Sequence, residues 1–422
     1  MRPAQRSRPS WWDWPACDHL LLLAAYLTVR PGKFSTSLPC PVGRNCLPDG
    51  QRRCGDGSRP WERSLRMGLT RWPLGLRWLV VVSAGLLLGG VLGGLHLPAA
   101  AMVGPMIAGV GMALMGGNLR VAAGVGQMGQ GVAGCLIALN LDAPALSQTI
   151  AIWPVALVFV ALTFAVACLT GLVASDWTGL DREATLWGFL PGMMSTVIAV
   201  AHERGLDSRM IALIQILRLM LVIAAMVMVA MIVSGPAMPH TGSGAGATLQ
   251  STATAVLLCV VGTAVARWLP VIPAAASLVP LSLATALTLS GFDLSMPGWL
   301  VSLAFLAIGL QVGLRFTPEL LRRGVSALPG LAAACLLLIL LCGVTGVALS
   351  WIAGVSLMSG MLATVPGSID SIAILAIGTG ADVAFVMTLQ TVRLFAVVIF
   401  GPLIATGLAR MLRRHGERRG RM

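Results

Sequence analysis

Residues 190–218 read LPGMMSTVIAVAHERGLDSRMIALIQILR, and residues 365–393 read VPGSIDSIAILAIGTGADVAFVMTLQTVR. Counting 175 positions on from Pro191 gives Pro366, and the same step takes Gly192 to Gly367, Gly205 to Gly380, Asp207 to Asp382, Gln215 to Gln390 and Arg218 to Arg393. Each copy sets a helix-breaking Pro-Gly inside an apolar run, then a Gly-x-Asp turn, then an apolar helix bearing Gln-x-x-Arg. The same offset joins PAAAMVGP at 98–105 to PAAASLVP at 273–280, Pro154 to Pro329 and Gly134 to Gly309. One constant offset over so long a stretch marks an internal duplication.

The chain has 422 residues, 57% of them hydrophobic and 11% charged. A soluble globular chain carries about 25% charged residues. Apolar runs of near-spanning length recur from Trp78 to Leu408. They predict an all-α polytopic membrane protein rather than a β-barrel, whose segments are short and alternating. The runs fall at Trp78–Leu95, Ala99–Met115, Val121–Leu139, Thr149–Ala174, the broken element Ala184–Ala201 and Met210–Val233. After an uncharged linker the order repeats: Ala253–Trp268, Pro273–Leu289, Trp299–Leu314, Val325–Ile352, the broken element Leu357–Ile377 and Ala381–Leu408. The division is therefore a first repeat at 67–233, a linker at 234–252, a second repeat at 253–408 and a basic tail at 409–422. Residues 1–66, rich in Arg, Pro, Trp and Cys, read as a disordered extension or as sequence ahead of a true start at Met67.

The net charge of +13 does not imply nucleic acid. Arginines gather in the first 77 residues, in short loops and in the tail, as cytoplasmic flanks do. If all twelve elements crossed, Arg204, Arg209, Arg267, Arg315, Arg322 and Arg323 would lie outside. If each Pro-Gly element returns to its own face, five crossings per half remain and these arginines all lie inside, with both termini. Five is odd, so the second half is inverted relative to the first, as in many secondary transporters. Charge alone does not separate a dipping helix pair from a crossing helix that is broken.

The candidate solute-binding residues are Pro191, Gly192, Ser195, Gln215 and Arg218 in the first copy, and Pro366, Gly367, Asp370, Gln390 and Arg393 in the second. A Pro-Gly break frees backbone groups that protein or water must satisfy. The following helix N-terminus offers amides to an anion; the bland alternative is a kink. Arg218 and Arg393 are costly inside a membrane unless paired or solvated. They either bind an anion or pair with a carboxylate, Asp370 being the expected partner of Arg393. Gln215 and Gln390, three residues before their arginines, share a helix face with them and can orient them. Ser195 matches Asp370, so one tip is charged and the other is not, which fits a proton or cation site at Asp370 alone.

No catalytic residue, metal site or cofactor is expected. His202-Glu203 lacks the second His of a zinc helix, and the remaining histidines are scattered. Cys17, Cys40, Cys46 and Cys54 fit no zinc spacing, while Cys135, Cys168, Cys259, Cys335 and Cys342 sit singly in apolar helices. The partners expected are the lipid bilayer and a small anionic solute, with no direct contact to nucleic acid; a homo-oligomer is compatible with this reading.

The doubled pattern, LPAAAMVGP early and PG…G-x-D…Q…R late in each half, resembles the AbrB-type duplicated membrane protein family of bacteria over residues 78–408. Members are labelled AbrB family transcriptional regulator or ammonia monooxygenase. The resemblance implies an inner-membrane protein with an indirect role in regulating gene expression. Neither label is given a mechanism by these residues. The expected function is alternating-access movement of a small solute. The alternatives are a membrane-bound regulator that transports nothing and, least, a monooxygenase.

Overall fold

The computed structural model describes residues 72–141, 153–190, 205–233, 249–269, 272, 274–292, 294–316 and 326–419. They lie in one compact unit. The expectations for residues 1–66, for Pro191, Gly192 and Ser195, and for most of the linker fall outside the described residues.

The first half forms α1 (Leu74–Gly94), α2 (Ala100–Leu114), α3 (Ala123–Ala138), α4 (Trp153–Thr178), α5 (Arg182–Phe189) and α6 (Ser208–Val233). The second forms α7 (Leu249–Trp268), α8 (Ala275–Leu289), α9 (Gly298–Gly313), α10 (Leu328–Ala353), α11 (Leu357–Thr364), α12 (Ile369–Thr379) and α13 (Val383–Arg419). Moved on by 175 positions, the bounds of α2, α3, α4 and α5 fall residue for residue on those of α8, α9, α10 and α11. The duplication thus governs local structure down to helix ends.

The caps show why. Ala99 and Ala274, which precede α2 and α8, both take the left-handed backbone region, at φ 57° and 53°. That conformation costs an ordinary L-residue about 1–2 kcal/mol, yet it recurs in both copies. The two Gly-x-Asp turns are likewise one device used twice. Gly380 ends α12 at φ 67°, and Gly205 has φ 68°. Asp207 accepts hydrogen bonds from the amides of Arg209 and Met210 at the start of α6. Asp382 accepts one from Phe385 at the start of α13. Both aspartates are helix caps.

Among the described residues six helices are long and apolar enough to cross a bilayer: α1, α4, α6, α7, α10 and the apolar part of α13. α2, α8, α9 and α12 are shorter. The 15 residues of α2 extend about 22 Å at 1.5 Å per residue, against a hydrocarbon core of about 30 Å. α2 is cut short by turns at both ends: His96 and Ala99 before it, and Gly116 and Asn118 after it, all have positive φ.

Each bundle draws helices from both halves. α1–α3 pack with α7–α9, and α4–α6 pack with α10, α11 and α13. Most cross-half contacts have an exchanged counterpart: α2 on α9 and α3 on α8, α1 on α9 and α3 on α7, α6 on α10 and α4 on α13, α5 on α13 and α6 on α11. Small residues make these crossings close. A methyl on Gly134 would overlap the Ser277 carbonyl, and one on Gly309, its repeat mate, would overlap the Met102 carbonyl, again 175 positions apart. α12 belongs with the second bundle through α6, α11 and α13. Among the described helix pairs in extensive contact, α12 against α3 is the one that joins the two bundles.

Candidate functional site at the helix break

The second Pro-Gly is a true interruption. α11 stops at Thr364, Val365 is extended at ψ 131°, and α12 starts at Ile369 with Ser368 as its cap. Ser368 Oγ accepts a hydrogen bond from the Ser371 amide at 3.2 Å. Pro366 has no N–H to carry the helix on, so the carbonyls at the end of α11 lose their partners. They gain new ones from α13. Gln390 Nε2 donates to Leu362 O at 2.6 Å and to Val365 O at 3.3 Å. Arg393 donates to Val365 O at 2.9 Å and to Gly367 O at 3.4 Å. Its guanidinium also donates to Gln390 Oε1. The contact between glutamine and arginine forms in this copy; Gln215 and Arg218, also described, make no such bond.

The expected Asp370–Arg393 pairing is not what forms. Arg393 points at the C-terminal end of α11, where carbonyl dipoles give partial negative charge. Asp370, in the first turn of α12, turns the other way, toward the first bundle. The first copy uses its arginine in the same manner: Arg218 donates to Phe189 O at the end of α5, at 2.7 Å. Asp207 and Asp382 serve as caps and not as counter-charges.

Arg218 and Arg393 are 7% and 5% exposed, and the two guanidiniums act on each other electrostatically. Among the described residues neither forms an ion pair; the pair that does form is the exposed Arg182–Asp176 bridge, at 3.0 Å. Arg218 Nε and Gln215 Nε2 are buried with no hydrogen-bond partner. Two like charges that act on each other, with carbonyl dipoles as their described partners and with donors to spare, form a positive region among the described residues of the second bundle.

The other polar centre surrounds Asp370, a carboxylate 7% exposed. Ser277 Oγ, on α8, donates to Asp370 Oδ1. Gln130, on α3, lies near the same carboxylate and acts on it electrostatically as a donor, and Arg315, just beyond α9, supplies the nearby positive charge. Gln130, Ser277 and Arg315 were not among the sequence candidates. A signal existed: their repeat mates are Phe305, Met102 and Asn140, so the duplication breaks at each of them as it does at Ser195 and Asp370. Among the described residues no group of three His, Cys, Asp or Glu is placed to hold a metal ion.

A family profile described as "Transition state regulatory protein AbrB" matches residues 101–409. The chain is 31% identical over 336 residues to the "Putative regulator AbrB" of Escherichia coli (strain K12), covering 78% of this chain and 96% of that protein. It is 25% identical over 302 residues to the "Uncharacterized protein YhjN" of Bacillus subtilis (strain 168), covering 65% of this chain and 76% of that protein. On the extent of the profile match and of the Escherichia coli match, this chain belongs to the AbrB family.

Proposed function

We propose that the protein is a carrier of the bacterial inner membrane that moves a small anionic solute by alternating access and performs no catalysis. One observation carries this reading. Two buried arginines, matched by the repeat, sit at helix breaks with carbonyl dipoles as their described partners. An anion bound between them would supply the missing charge through their planar forks. The exchange of contacts between the halves supports the rest. A fold built from two nearly equivalent halves has two nearly equivalent packings, which alternating access requires. The arginine distribution supports both termini on the cytoplasmic side and an inverted second half.

Uptake and efflux of small anions in proteoliposomes, for the intact protein and for Arg218→Ala and Arg393→Ala variants that elute as single species, test the site. Anion movement that the variants retain in full would overturn it. Cysteine labelling at Arg315 and in the 234–252 linker tests the topology, since labelling of both from one face contradicts the arrangement. A membrane-bound regulator is the second reading, favoured by the name of the Escherichia coli relative. It requires that no solute moves while a partner protein is retained.

A further inference from the structure

We infer that Asp370 is a proton-binding site that couples movement of the two bundles to pH, at a position the duplication does not copy. The coupling deepens the carrier reading; proton binding itself stands on the site. Three observations carry it.

The first is position. Asp370 lies on the half-helix α12, at the contact that joins the bundles. The carboxylate belongs to one bundle, while Ser277 and Gln130 belong to the other. A displacement of one bundle against the other would break the Ser277 hydrogen bond and change the distance to Gln130.

The second is asymmetry. The Pro-Gly, the capping aspartates, the glutamines and the arginines at the breaks are doubled. The Asp370 centre is not. Its repeat mates Ser195, Met102, Phe305 and Asn140 include no ionisable side chain. A buried carboxylate is costly unless it is used or fully paired, and Asp370 has no ion pair at bonding distance among the described residues.

The third is the sign of its surroundings. The Ser277 hydroxyl donates to the carboxylate and the Gln130 amide acts on it as a donor, so their lone pairs are not aimed where a metal cation would sit. Arg315, at the end of α9, adds positive charge that repels one. From α6 and α13 the facing charges are Arg218 and Arg393, each engaged at a break. α8, α11 and α12 itself bring no other titratable group, and α3 brings Cys135 farther along. A proton is the cation that this arrangement accepts: the carboxylate takes it from water to become the acid, and gives it back when the donors return.

The test uses the purified full-length protein in lipid nanodiscs. Infrared difference spectra recorded from mildly acidic to mildly alkaline pH should show a carboxylic-acid carbonyl band that grows as pH falls and is missing in Asp370→Asn. Removing a donor to the charged form must raise the midpoint. Ser277→Ala should raise it by about one to two pH units, the equivalent of one lost charge-assisted hydrogen bond, and Arg315→Gln should raise it too. Hydrogen–deuterium exchange of α3, α8 and α12 peptides reads the coupling. Wild type and Asp370→Asn, which mimics the protonated form, are compared at equal pH so that intrinsic rates cancel. They should agree at acidic pH and diverge at alkaline pH. Absence of the titrating band, dependence on sodium instead of pH, or exchange differences that ignore pH would each overturn the inference. If band and exchange behave as expected while no small anion moves in proteoliposomes, the carrier reading fails and the proton site stands.

Discussion

Gly134 and Gly309 are repeat mates that meet their partner helices in the same way. This makes them a matched pair for separating packing from site chemistry. A methyl on Gly134 would lie 3.2 Å from both the Ser277 carbonyl carbon and the Leu281 amide nitrogen, and would overlap the carbonyl oxygen between them. A methyl on Gly309 would lie 3.2 Å from the Met102 carbonyl carbon and 3.1 Å from Pro105 Cβ, with the same overlap of oxygen. Restoring an ordinary carbon–oxygen separation of about 3.3–3.6 Å requires the helices to part by about 1 Å. Overpacking of this kind costs about 1–3 kcal/mol, and the matched geometry predicts similar losses of thermal stability for Gly134→Ala and Gly309→Ala.

The site responds to one of them only. Gly134→Ala pushes α8 from α3 at Ser277 itself, and these two helices carry both donors to Asp370. An O–H···O bond tolerates a range of about 0.5 Å, so a displacement of about 1 Å removes it. A lost charge-assisted bond is worth about 1.5–3 kcal/mol, which raises the titration midpoint of Asp370 by about one to two pH units. Gly309→Ala moves α2 from α9 and leaves Ser277 and Gln130 in place. Arg315 acts on the carboxylate through space, where an ångström matters little. Thermal unfolding in detergent gives the stability, and the infrared carbonyl band gives the titration. Equal titration shifts in the two variants, or no shift in Gly134→Ala despite its lost stability, would refute the link between this crossing and the site.

Arg393→Lys removes a planar fork that spans Val365 O, Gly367 O and Gln390 Oε1. It should lower thermal stability by about 1–3 kcal/mol. Arg218→Lys, whose described hydrogen bond is one to Phe189 O, should cost less, and equal losses would contradict the clamp. Cys135 and Cys259 are buried with their sulfurs 3.4 Å apart. A membrane-permeant thiol oxidant should therefore join α3 to α7 within one chain, seen as a single cross-linked peptide pair by mass spectrometry and lost in Cys259→Ser. Ala274→Gly should raise the unfolding temperature by relieving left-handed strain of about 1 kcal/mol, and Ala99→Gly should do the same; a fall in both would mean that the methyl groups contribute more than the strain removes.

How legible all this is depends on whether a feature repeats. The helix inventory followed from the 175-residue offset because matched prolines and glycines end helices in the same way wherever they stand; Pro105 and Pro280 even occupy corresponding positions inside α2 and α8. The bounds of α2 were legible as well: the apolar run Ala99–Met115 is one residue longer at each end than the helix, which left-handed Ala99 and the turn at Gly116 close. The partners of Arg393 were not legible at all. Charge complementarity suggested Asp370, but a break of helix exposes carbonyls that also need a donor, and only the packing of α13 against α11 decides which need is met. Gln130 and Ser277 looked like ordinary small and polar residues of a membrane helix. What distinguishes them is the apolar residue at each mirror position, a comparison that depends on the duplication having been found first.

A duplicated fold whose halves are interchangeable has no intrinsic preference between its two packings, and a ligand can bias them only by its differential affinity. The Asp370 carboxylate, placed where the two bundles meet, supplies that difference. With the donors of the first bundle in place, Asp370 is held as the charged form; with the bundles parted, it binds a proton more tightly. The charge-assisted hydrogen bond from Ser277 is worth about 1.5–3 kcal/mol, a bias of about 10- to 150-fold on a two-state equilibrium, whereas the arginines, present in both halves, bias neither packing. On the carrier reading the repeat supplies two packings, and the Asp370 centre, which the repeat does not copy, supplies the means by which a proton would choose between them.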